Sequence, residues 1–167
     1  MMWTTRIISF LEEIGIPVKE QALERDCFLP GVEIQAGCLI VDRSTLKYPG
    51  DLLHEAGHIA VMTLEERVQS SGNLNASDIP AHTLDGYELS AIAWSYAAAC
   101  HLEMPIEILF HTDGYKNDSQ MLIDNYTSGN YLFTPLLQYW GLCTLGAEDS
   151  GDYGGCCYPK MKKWLRD

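Results

Sequence analysis

The chain has 167 residues, 47% of them hydrophobic and 20% charged, and its formal net charge is −12. Such a composition excludes a disordered chain and suits one domain, residues 1–167, large enough to bury a substantial core. A surface this acidic repels phosphate backbones, and no stretch approaches the ~20 apolar residues that span a bilayer, so neither a nucleic-acid nor a membrane partner is expected.

From Thr4 to Ile14, Ile7, Ile8, Leu11 and Ile14 recur at helical spacing, and Gly15 and Pro17 supply a stop. Arg6, Glu12 and Glu13 interrupt these apolar residues, so Met1 to Gly15 does not read as a secretory signal. The six cysteines (Cys27, Cys38, Cys100, Cys143, Cys156 and Cys157) show no C-x-x-C spacing and are expected to be reduced, structural or incidental thiols in a cytoplasm.

Phe28 to Ile34 and Cys38 to Asp42 read as two strands of a hairpin about Gln35-Ala36-Gly37, the second apolar enough to be covered on both faces. A helix is expected from Leu52 to Leu64, about four turns, with Leu53, Ala56, Ala60 and Leu64 as its buried stripe. Residues 66–83 carry turn formers and read as a loop beside that helix. A second, Ala-rich helix runs from Asp85 to about Glu103, limited by Pro105. Short helices follow at Ser119 to Tyr126 and at Pro135 to Trp140, the latter with Thr134 as N-cap. After a turn-rich stretch from Gly141 to Gly155, Pro159 to Leu165 closes the chain as a last helix, with Lys160, Lys162, Lys163 and Arg166 on its solvated face.

The first of these long helices contains His54-Glu55-Ala56-Gly57-His58, an H-E-x-x-H run. On a helix, residues four apart lie one turn above each other, so both imidazoles can reach one metal ion. Gly57 costs the helix about 1 kcal/mol relative to Ala, which a closely approaching neighbouring backbone would offset. A catalytic zinc takes three protein ligands and keeps one position open. Glu88, 30 positions after His58 and on the Ala-rich helix, is the leading third ligand, and His82 is the alternative. His101 is thirteen residues further on, about 220° round the helix from Glu88, and faces away. A di-iron reading needs a second E-x-x-H, but three residues before His82, His101 and His111 stand Ile79, Ala98 and Ile108.

Leu53-His54-Glu55-Ala56-Gly57-His58, followed by Glu88-Leu89-Ser90-Ala91 and, beyond Ala97, Met104-Pro105, resembles the gluzincin-type zinc metallopeptidases, and within them the ImmA/IrrE-like family, over about residues 38 to 105. The resemblance implies His54, His58 and Glu88 as ligands of one Zn2+ ion and Glu55 as catalytic base. Better-known gluzincins carry an Asp four residues after the ligand glutamate. Here that position is Ile92, which leaves a partner of at least one histidine unassigned.

The fold class expected is α+β: a compact zincin-like domain with a small β-sheet packed on an active-site helix and a helical C-terminal part that supplies Glu88. The function expected is hydrolysis of a peptide or protein substrate in a bacterial-type cytoplasm. Glu55, about 100° round the helix from His54, would take the proton of the attacking water and deliver it to the leaving amine. His111, Tyr115 and Tyr131 are candidates for an oxyanion-stabilising donor. The competing expectation, motivated by Ile92, is a zinc-stabilised binding module of the same fold without turnover. A third is a latent form in which residues 66–83 or a C-terminal segment cover the metal.

Overall fold

The computed structural model describes residues 2–23, 28–70, 80–146 and 157–167. Among these, three strands and seven α-helices form a mixed architecture compatible with the α+β expectation. In chain order the elements are α1 (Met2–Glu13), β1 (Val18–Glu20), β2 (Val32–Gln35), β3 (Cys38–Val41), α2 (Gly50–Val61), α3 (Leu64–Gln69), α4 (Ala81–His101), α5 (Ile106–Leu109), α6 (Ser119–Thr127) and α7 (Pro135–Tyr139), with a 3-10 turn at Tyr115–Asn117 before α6.

The hairpin forms, but its first strand begins at Val32 rather than at Phe28, which is 93% exposed. Gln35 pairs with Cys38 across the two-residue turn Ala36-Gly37, and both turn residues have positive φ, +48° and +73°, which matches the right-handed twist of the strands. The sheet has a third member that the sequence did not announce: β1 pairs parallel with β3, making β3 the central strand. At three residues, with only Val18 partly buried, β1 has no alternation to detect. The central position explains the apolar run of β3, in which Leu39, Ile40 and Val41 are buried.

Helix α2 begins at Gly50 and ends at Val61, shorter than expected. Met62 turns extended at ψ 151°, and Thr63 starts α3 with a reciprocal cap, its Oγ1 accepting from the Glu66 amide while Glu66 accepts from the Thr63 amide. Leu64 therefore belongs to α3 and is 65% exposed, whereas Leu53, Ala56 and Ala60 are fully buried as expected. The loop expected over 66–83 is likewise displaced: its beginning lies in α3 and its end in α4, and residues 71–79 lie outside the described residues. The last carbonyls of α2 are satisfied by arginines. Arg67 donates to Ile59 O and Ala60 O, and Arg166 to Val61 O, placing positive charge at the negative end of the helix dipole.

Helix α4 is the longest element, and α2 and α4 pack along each other at the centre of the molecule, with the sheet on another side of α2. One core of buried residues joins α1, the sheet, α2, α4 and the C-terminal helices, and Trp94, Tyr126 and Phe110 are its largest fully buried side chains.

Two further expectations fail. The Thr134 side chain does not cap α7: its backbone is already helical and its hydroxyl donates to Tyr131 O. Pro159 to Leu165 forms turns, not a helix, because its backbone bonds to other elements. Lys162 N donates to Leu142 O, Trp164 O accepts from Trp94 Nε1, and Arg166 N donates to Ala60 O. Trp164 is thereby set edge-on to both Phe10 and Trp94. Instead of facing solvent with its neighbours, the Arg166 guanidinium lies 4.5 Å from the Trp140 ring. Cys27, Cys156 and the stretch 147–156 lie outside the described residues. Cys38, Cys100, Cys143 and Cys157 are free thiols.

Candidate metal centre

His54, Gly57, His58 and Val61 share one face of α2 at positions i, i+3, i+4 and i+7, and Glu88, Ala91, Ile92 and Ser95 share one face of α4 by the same rule. The two faces meet where a side chain is missing. A Cβ on Gly57 would lie 2.8 Å from Ala91 O and 3.1 Å from Ala91 Cα, so only glycine permits this approach. Glu88, one turn before Ala91, is thus carried to the histidines that flank Gly57.

The ligand atoms converge. His54 Nε2 and His58 Nε2 are 3.2 Å apart, Glu88 Oε2 lies 3.1 Å from His58 Nε2, and Glu88 Oε1 lies 3.6 Å from His54 Nε2. Donor atoms at about 2.0–2.1 Å from a tetrahedral ion stand about 3.3–3.4 Å from one another; the separation of the two imidazole nitrogens is close to this, and one ligand atom from each of the three residues lies within 4.8 Å of the others. Two imidazole nitrogens and one carboxylate suit a borderline divalent cation. The group His54, His58 and Glu88 can hold a metal ion.

The surroundings act oppositely on the two histidines. Burial, and after it the neighbouring His58, lower the His54 pKa to about 4, leaving its ring neutral near pH 7 with a lone pair to give. Burial also opposes protonation of His58, but the hydrogen bond to Glu88 and the charges of Glu55 and Glu88 outweigh it and raise the pKa. The imidazoles are nearly enclosed, while the Glu88 side chain is 50% exposed, so the centre opens to solvent on the α4 side. Glu55, adjacent to His54, has its carboxyl pKa raised by burial and by the nearby charges of Glu88 and Asp51, with His58 acting in the opposite sense.

Of the other sequence candidates, His82 is exposed and is not part of the ligand group among the described residues. His101 packs against Phe10 and Trp164, away from the centre. Tyr131 belongs to an aromatic cluster with Tyr96, Tyr126 and Tyr158. Tyr115 is brought to the centre, its ring perpendicular to that of His54 at 5.5 Å.

His111 is drawn in through an acidic residue in the first turn of α2. Asp51, three positions before His54 on α2, is buried and pairs with His111, Nε2 to Oδ1 at 2.9 Å. The His111 ring stacks on Tyr48 at 3.7 Å and lies close enough to His54 to help lower its pKa. The spacing Asp51-x-x-His54 was the available signal, since residues three apart share a helix face. The Nδ1 atoms of His54 and His58 are buried and have no hydrogen-bond partner among the described residues. No protein-family model, no curated protein and no solved structure matches this chain.

Proposed function

We propose that this chain is a zinc metallopeptidase of gluzincin type with a zincin-like fold, similar to the ImmA/IrrE-like family. The observation that supports it most is the convergence of His54 Nε2, His58 Nε2 and the Glu88 carboxylate beside Glu55. Zinc, when bound there, supplies a Lewis acid for the scissile carbonyl and acidifies water.

The chain's own residues supply the rest. Glu55 is next to a ligand in sequence but directed about 100° away from it round α2, so it serves the attacking water rather than the ion. Its raised pKa makes it a better proton acceptor than an ordinary carboxylate, and it returns that proton to the leaving amine. His111, held by the buried Asp51 carboxylate, is assigned to the oxyanion that develops on the carbonyl, because Tyr115 packs its ring against His54 and Phe110 and Tyr131 lies elsewhere. The substrate is a peptide or one specific protein partner, reached from the exposed side of Glu88, in a bacterial-type cytoplasm. No described helix is long and apolar enough to cross a membrane.

One observation favours a second reading, a zinc-stabilised binding module without turnover. Ile92 stands where better-known gluzincins have an Asp, and the ligand histidines have no hydrogen-bond acceptor at Nδ1 among the described residues. Metal content and peptide cleavage of the native chain and of Glu55→Gln separate the two. The peptidase reading expects one zinc in both proteins and cleavage only in the native one. Stoichiometric zinc with no cleavage by the native chain supports the binding module, and absence of zinc from the native chain overturns both.

A further inference from the structure

A histidine that binds a metal through Nε2 carries its proton on Nδ1, and metal-ligating histidines are ordinarily held in place by an acceptor for that proton. At His54 that atom is buried and finds no oxygen or nitrogen among the described residues. What stands beside the ring is Tyr115, at 5.5 Å between centroids and 85° between planes. Perpendicular rings at this distance place the positive edge of one against the electron-rich face of the other, and an N–H directed at an aromatic face is a weak hydrogen bond.

The placing of Tyr115 is costly and heavily constrained. Its φ is +54°, a region that residues with a side chain rarely adopt, and Asn117 two positions on is at +72°. The ring is fixed from another side as well, where Phe110 meets it edge-on at 5.0 Å. Strained backbone of this kind persists where the surroundings over-determine it, and it clusters at functional sites.

We propose that Tyr115 is the positioning residue of the metal centre, the face of its ring taking the Nδ1–H of His54 in place of a carboxylate. The inference rests on the metal-centre reading. It deepens that reading by explaining how an apolar Ile92 is compatible with an oriented ligand. The aromatic face, not the hydroxyl, carries the role, so Phe substitutes for Tyr and an aliphatic residue does not.

Cobalt(II) and zinc titrations of the native chain, Tyr115→Phe and Tyr115→Leu test it, with thermal unfolding of each metal-free protein alongside. Affinity within about threefold of native is expected for Tyr115→Phe, and a loss of about 10- to 100-fold for Tyr115→Leu, the range typical of removing a ligand's supporting partner. In the zinc-loaded native protein and in Tyr115→Phe, the His54 Nδ1 proton is expected well upfield of its His58 counterpart because of the ring current. That signature is read without Tyr115→Leu if the latter does not fold. Native affinity in a folded Tyr115→Leu, or equal shifts for the two Nδ1 protons, overturns the inference while leaving the metal centre standing. A native chain that binds neither metal overturns both.

Discussion

Gly57 on α2 and Ala91 on α4 touch backbone to backbone: a methyl group on Gly57 would sit 2.8 Å from the Ala91 carbonyl oxygen. That contact fixes how near α4 comes to α2 and therefore whether Glu88 can share an ion with His54 and His58. Gly57→Ala gains about 1 kcal/mol of helix propensity but incurs overpacking of about 1–3 kcal/mol against backbone that cannot swing aside. The expected result is a net loss of stability in denaturant titrations and weaker metal binding. A more stable variant with native affinity would show that the helices separate freely.

Ligand assignment is decided by affinity. Glu88→Ala is expected to reduce zinc affinity by more than the ~100-fold at the upper end of what loss of an outer partner causes, whereas His82→Ala leaves it unchanged. Zinc at 100 times its dissociation constant should add about 2.7 kcal/mol to native stability, reversed by a chelator and absent in His54→Ala. Calorimetric titration and thermal unfolding read both effects. Equal losses in Glu88→Ala and His82→Ala would reassign the third ligand.

His111 is bonded to Asp51 at 2.9 Å and has no ligand role in the centre. With His111→Phe the stacking surface for Tyr48 is kept and the donor is lost, so kcat is expected to fall about 10²- to 10³-fold at unchanged zinc content. A parallel fall in zinc content would instead mark the Asp51–His111 pair as part of the support for the ion.

Asp42 closes β3 and organises the connection to α2. Its carboxylate accepts from the hydroxyl and amide of Ser44 and from the amide of Leu23, and these bonds, the Ser44 hydroxyl foremost, lower its pKa to about 2 from an ordinary 3.8. A depressed carboxyl pKa means that the unfolded chain binds the proton more readily. The contribution of Asp42 is then fully present above about pH 4 and is lost as pH falls through 4 towards 2. Asp42→Asn should lower stability at pH 6 and flatten the acid limb of the stability profile. Denaturant midpoints between pH 2 and 6 that fall in parallel for both proteins would locate the acid sensitivity elsewhere.

Periodicity and turn chemistry, both local, made much of the fold legible in the sequence: α1, the Ala36-Gly37 hairpin, the cores of α2 and α4, α6 and α7. The same rules misjudged the ends. The chain between His58 and Leu64 keeps a helical pattern, yet the Thr63–Glu66 cap starts a new helix there. Pro159 to Leu165 also has a helical pattern, but its backbone finds partners on Leu142, Trp94 and Ala60, which no local rule anticipates.

The sequence by itself determined the pair His54 and His58 and the acid beside them, because four-residue spacing on a helix is a property of the helix alone. Glu88 as the leading third ligand followed from position and from the small residues of its helix, and Gly57 was marked as a point of close approach. Only the tertiary structure decided that this approach is made by Ala91, that Glu88 joins the two histidines, that Tyr115 stands against His54 and that Asp51 is bonded to His111. Those relations join residues dozens of positions apart through the packing of α2 on α4 and the left-handed backbone at Tyr115, and such packing is set by the fit of whole surfaces rather than by the pattern along either element.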